Sequence, residues 1–123
     1  MRKTIEPLSW QSDLAAFGKR NNMRPTRLEV LGPGGEFESD FWLEDGLCLA
    51  GVDLDTDGER GPYVEIMLQA RSAASNHVTH TVAGVKRVEL ETADGRDAAL
   101  EIEDGEGKRT IMHFESERPS RKE

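Results

Sequence analysis

Residues 53–58 read Asp-Leu-Asp-Thr-Asp-Gly, and carboxylates at every second position before a glycine form the sharpest chemical signal in the chain. Calcium takes about six to eight oxygen ligands, and such a run can curl around the ion where a glycine permits the turn. Asp53, Asp55 and Asp57 are therefore the candidate metal ligands, with calcium the ion they suit. The remainder of the pattern departs from a helix–loop–helix calcium site. Counted from Asp53, the twelfth position is Val64 instead of Glu, and Glu65 comes one residue late. Pro62 and strand-like flanks replace the two helices. The competing reading is an acidic loop between strands, kept in water by its charge.

His77 and His80 make an H-x-x-H pair, with His113 far along the chain and Cys48 as a further candidate zinc ligand. Zinc requires three or four such groups in tetrahedral array. On a strand, positions 77 and 80 face opposite ways, so one ion would reach both only from a turn or helix. No glutamate follows His77, which excludes the metalloprotease signature. Cys48 lies between Leu47 and Leu49, a setting for a structural thiol rather than a nucleophile. Gly32-Pro33-Gly34-Gly35 lacks the Lys-Ser/Thr of a phosphate loop and reads as a turn. Glu89 with Glu91, and Glu101 with Glu103, share the polar faces of strands, whereas a catalytic acid needs burial. Trp42 and Tyr63 fall on the nominally outward faces of their strands, where exposed together they would form part of an apolar contact patch; a place under the helix or at a subunit interface fits the pattern equally.

These residues must be held by one helix and a series of short strands. Trp10, Leu14 and Phe17 repeat at helical spacing behind Ser9, which is placed to cap them, and Gly18 with Asn21-Asn22 marks the end. Period-two alternation then runs over residues 26–31, 36–43, 47–54 and 63–69, with Gly51 as a candidate bulge. Residues 77–82 and 86–92 read as two strands broken near Gly84. Asp94-Gly95 is a strong hairpin signal, and strands follow over 98–103 and around Met112 and Phe114. Residues 71–76 read as a loop. The expected fold is mostly β (α+β): an N-terminal helix followed by about eight short antiparallel strands forming a small barrel or roll. A flat sheet packed on the helix is the competitor.

At 123 residues the chain suits a single domain, residues 1–123, with an ordered core over about 7–115 and a charged tail over 116–123. The formal charge of −8 is spread unevenly. Residues 1–27 carry six bases against two acids, and residues 28–117 carry 21 acids against seven bases. That balance repels a phosphate backbone and argues against nucleic acid as partner. A single cysteine cannot form an intrachain disulfide and suits a reducing compartment. No apolar run approaches the ~20 residues that span a bilayer, and Met1 to Pro7 lacks the apolar stretch of a secretory signal. A cytoplasmic location without membrane contact is expected.

Pro7-Leu8-Ser9-Trp10, Glu65-Ile66-Met67-Leu68, the segment from His77 to Val82 and the hairpin strand from Ala99 to Glu103 together carry a resemblance. Over residues 7–114 the chain resembles a group of short bacterial proteins catalogued as a domain of unknown function. The resemblance implies a bacterial origin and a soluble single domain, and it brings no cofactor or catalytic residue with it. The leading functional expectation is a non-catalytic binding or regulatory module acting through protein contacts, including self-association as a homodimer. A domain responsive to calcium or another metal, using the acidic loop 53–58, is the alternative. A small enzyme built on a histidine and a carboxylate is the third reading.

Overall fold

The computed structural model describes residues 1–34, 37–41, 47–70 and 77–114, without the side chains of 37–41 and Ala70. Its elements are β1 (Arg2–Ile5), a 3₁₀ turn (Pro7–Ser9), α1 (Trp10–Arg20), β2 (Pro25–Leu31), β3 (Phe37–Phe41), β4 (Leu47–Asp55), β5 (Tyr63–Ala70), β6 (His77–Val82), β7 (Val85–Ala93), β8 (Arg96–Asp104) and β9 (Arg109–Phe114). The helix followed by eight antiparallel strands is as expected. The strand β1 ahead of the helix is an addition, and it extends the ordered region to the second residue. The loop expected over 71–76, the tail over 116–123 and Trp42 lie outside the described residues.

All strands join one antiparallel sheet in the order β1-β7-β8-β9-β2-β4-β5-β6. β3 pairs with residues 28–31 of β2, and β4 takes over the same edge at Pro25 and Thr26. The chain link between β6 and β7 excludes a flat sheet. Six strand spacings separate them in the sheet order, which is about 29 Å if flat. Only Ala83 and Gly84 connect them, so Val82 and Val85 stand no more than about 10 Å apart. The sheet must therefore curl until its β6 end meets the start of β7. Among the described residues it does not close, since β1 and β6 remain its two ends. The result is an open roll, not a closed barrel.

Alternation decides which face is inside. Leu28, Leu49, Val64, Ile66, Val88, Leu100, Ile102 and Met112 are all buried in one cluster within the curl. The bulge expected at Gly51 is present as a register shift between Leu49 and Gly51. Asp94 and Gly95 adopt φ of 55° and 77°, the left-handed pair that a tight two-residue hairpin requires.

The helix closes the roll: Trp10, Leu14 and Phe17 are buried. The Trp10 Nε1–H donates to the Ile5 carbonyl at 2.9 Å, which satisfies the indole and ties β1 to α1. Ser9 does not cap through its side chain. The preceding 3₁₀ turn holds it at φ −101°, ψ −2°, outside the extended geometry that side-chain capping uses. At the other end, Asp97 of β8 accepts hydrogen bonds from Arg20 Nε at 2.9 Å and Asn21 Nδ2 at 2.7 Å. Burial works to raise the Asp97 pKa, but the hydrogen bonds from Arg20 and Asn21 and the nearby guanidinium charges bring it below its ordinary value. No helix among the described residues is long and apolar enough to cross a membrane.

At Gly18 the helix packs directly on the backbone of β4. A Cβ there would lie 3.0 Å from the Val52 backbone nitrogen. Helix propensity favours alanine over glycine by about 0.8–1.0 kcal/mol, whereas forcing a methyl into packed backbone costs about 1–3 kcal/mol. The clash is with backbone and cannot relax by a rotamer change. Gly18→Ala is therefore expected to destabilise the protein by up to about 2 kcal/mol net in urea unfolding; a gain in stability would show that α1 is free to move off β4.

Candidate functional site

The corner between β6 and β7 gathers three turns. The Gly84 N–H donates to the Arg60 carbonyl at 2.7 Å, and the Val85 N–H donates to the Pro62 carbonyl at 3.0 Å. The Gly84 carbonyl in turn accepts from the Gly105 N–H at 3.0 Å. Gly84 has φ of +63°, a left-handed conformation that favours glycine. The β4–β5 loop and the β8–β9 turn are thus both tied to this corner by backbone hydrogen bonds.

Beside the corner opens a cleft of about 660 Å³. Val30, Val82 and Thr110, all buried, contribute to its floor. Glu59, Arg60, Glu106 and Lys108 are exposed and stand at its rim. The β8–β9 turn on one side is held by Asp104, whose Oδ1 accepts the N–H groups of Glu106 and Lys108, both at 2.9 Å. Along the other side every residue from His80 to Gly84 lines the cleft. Of these, His80, Thr81 and Val82 belong to β6, and because side chains on a strand alternate in direction, three consecutive lining residues set the cleft along the backbone edge of that part of β6. That edge is a terminal edge of the sheet.

His80 projects from the inner face of β6, opposite Ile66 of β5. Burial lowers its pKa below 6.5 and the Lys108 charge adds to the effect, so the imidazole is neutral at pH 7. His77 lies on the other face of the same strand and is exposed, as alternation requires. His113 sits on the outer face of β9 with Nε2 3.1 Å from Glu29 Oε1. The three histidines are therefore not brought together. Cys48 is buried in β4.

Asp53 and Asp55 are exposed near the end of β4, paired in register with Glu65 and Tyr63. Asp55 Oδ1 accepts the Asp57 N–H at 3.0 Å, a side-chain turn that shapes the loop. Among the described residues no group of three or more His, Cys, Asp or Glu side chains is assembled to hold a metal. Tyr63 supports the same loop: a Cβ on Gly58 would come within 3.3 Å of its ring and hydroxyl. Its proposed companion Trp42 lies outside the described residues.

The carboxylate pairs on the outer face of β7 and β8 are bridged by β1. Glu89 and Glu101 stand directly opposite each other, a repulsive pairing on its own. Arg2 Nη2 donates to both, at 2.6 and 2.8 Å. The Arg2 hydrogen bond holds the Glu89 pKa below its ordinary value. This is a structural ladder on an open face. A shallower groove of about 430 Å³ runs between α1 and β4, past Gly18, Asn22 and Gly51.

No family model and no curated protein matches the chain. Among solved structures it is similar to the Bacillus subtilis YojF protein, at 15% identity and a TM-score of 0.53. The match covers 98% of this chain and 97% of that one, so the likeness extends over the whole fold. At that identity it is a likeness of fold alone.

Two measurements probe these side chains. A histidine whose folded pKa is depressed binds fewer protons than the unfolded chain, so stability is full above about pH 6.5 and falls as the pH drops below it. The melting temperature is expected to decline as the pH falls below about 6.5, and His80→Gln should flatten that decline. An unchanged pH profile in the variant would mean that His80 is as accessible folded as unfolded. For the acidic loop, millimolar calcium is expected to leave the melting temperature of chelator-stripped protein unchanged. A calcium-specific rise that disappears in Asp55→Ala would instead show the three aspartates closing around the ion, since a ligand at about 100 times its Kd stabilises by ~2.7 kcal/mol.

Proposed function

We propose that the protein is a non-catalytic binding module that takes an extended polypeptide segment along the edge of β6, a terminal edge of the sheet among the described residues. The observation that carries this reading is the lining of the cleft by the consecutive β6 residues His80, Thr81 and Val82, which sets the backbone edge of a terminal strand along its wall. Strand addition to such an edge draws affinity from main-chain hydrogen bonds and specificity from pockets for alternate side chains. An apolar floor inside a charged rim also matches the anatomy of a protein interface. The rim carries both signs of charge, with Arg60 and Lys108 among Glu59 and Glu106, which suits a polypeptide better than a polyanion.

The natural edge protections are charge, proline and a covering segment. β6 contains no Asp, Glu, Lys, Arg or Pro. β1, at the other end of the sheet, carries Arg2 and Lys3. Among the described residues that contrast favours β6 over β1 as the edge for pairing.

Selection of displayed random peptides against the protein, followed by backbone chemical-shift mapping of a selected peptide, tests the reading. Shifts are expected to concentrate on residues 77–84 and on the 104–108 turn. Shifts confined to the groove between α1 and β4, or to the loop 53–58, would contradict it.

A further inference from the structure

Residues 78–82 of β6 read Val-Thr-His-Thr-Val, the same in both directions, with His80 at the centre. A palindrome has no consequence inside a chain, but it has one on an open strand edge. When two copies of such a strand pair antiparallel about a two-fold axis at His80, each residue meets its own kind: Val78 opposite Val82, Thr79 opposite Thr81, and His80 opposite His80. Threonine–threonine and β-branched pairs across an antiparallel ladder are favourable, whereas like charges directly opposite are destabilising. Because β6 contains no Asp, Glu, Lys or Arg, the self-pairing creates no full-charge repulsion.

The structure sets the length of the available edge to this segment. Past Val82 the backbone is already engaged, since the Gly84 N–H and carbonyl are bonded to Arg60 and Gly105. Within it, Val82 is buried while Thr79 and Thr81 are exposed on the outer face, and Val78, 46% exposed, is one of four large apolar side chains exposed among the described residues. Self-pairing would cover Val78 with the Val82 side of a second strand. β1 offers no comparable symmetry: Arg-Lys-Thr-Ile is neither palindromic nor uncharged.

From this self-complementarity we infer that the β6 edge takes a second copy of this chain, forming a two-fold dimer in which the two sheets continue through antiparallel β6 strands centred on His80. This inference rests on the proposed strand-addition function of the same edge and names its partner.

The register makes a charge-swap test available at two exposed positions. In the dimer residue 79 of one copy faces residue 81 of the other, so Thr79→Lys with Thr81→Lys sets lysine against lysine twice. Thr79→Lys with Thr81→Glu sets lysine against glutamate twice. Sedimentation analysis of the full chain from about 1 to 500 µM is expected to show a monomer–dimer equilibrium. The double-lysine variant should raise the dimer Kd by about tenfold or more, and the lysine–glutamate variant should remain close to the unsubstituted protein. Circular dichroism melts confirm that both variants fold. A dimer that ignores the double-lysine change, or a lysine–glutamate variant as dissociated as the double-lysine one, overturns the inference. A strictly monomeric protein overturns it too. If that monomer still binds selected peptides at residues 77–84, the strand-addition reading stands and only the choice of partner fails.

Discussion

The two residues Ala83 and Gly84 impose the constraint on which the architecture depends. They join strands that lie six places apart in the sheet, and a link of that reach forces the sheet to curl. Curling brings Leu28, Met112 and Ile102 on one side into the same buried cluster as Ile66, Val64 and Val82 on the other. It also leaves the inner surface open at one side, which α1 covers with Trp10, Leu14 and Phe17. The corner stands only because Gly84 reaches a left-handed conformation and satisfies its backbone groups with the Arg60 carbonyl and the Gly105 N–H. The candidate site is a product of the same constraint. It is the gap left where the curled sheet approaches itself without pairing.

Electrostatics distributes along the fold in a way that net charge does not reveal. The basic N-terminal region and the acidic remainder are largely complementary to each other within the molecule. Arg2 bridges Glu89 and Glu101, Arg20 pairs with Asp97, and the Arg24 guanidinium lies 4.2 Å from the Phe114 ring centroid while its Nη1 donates to the Asp97 carbonyl. The exposed pairs contribute little individually to stability. Their role is to permit glutamates to stand opposite one another on β7 and β8, and to hold the end of α1 against β8. β6 itself carries no Asp, Glu, Lys or Arg. An edge without charge, beside a cleft with charges only at its rim, is distinguished from every other margin described here.

Local periodicity made most elements legible. Leu28 and Val30, Val64 with Ile66 and Leu68, and Leu100 with Ile102 alternate as a half-buried sheet requires, and all are buried. Asp94-Gly95 announced its hairpin through the φ values that only a few residue types accept. What local pattern does not carry is pairing at long range. β1 has a single apolar anchor, Ile5, and its reason to be a strand lies in Glu89 and Glu101, which sit far along the chain. Gly84 was visible as a break, but not the two turns that fasten to it. The alternate aspartates at 53–57 have the right spacing in sequence, yet two of them lie on a strand and Asp55 shapes the turn through the Asp57 N–H. The cleft and the terminal position of β6 follow from strand order, which no short window of residues encodes.

Amide hydrogen exchange over residues 77–85, resolved residue by residue in dilute protein, tests most directly whether β6 presents a free edge beside the corner. In a terminal strand, alternate N–H groups bond to β5 and the intervening ones point into the cleft. Exchange should therefore alternate between slow and fast along 77–82 and become slow at Gly84 and Val85, whose N–H groups are bonded to the β4–β5 loop. Uniform slow exchange along β6 would mean that a segment of the chain itself covers the edge, and would contradict its assignment as the binding surface.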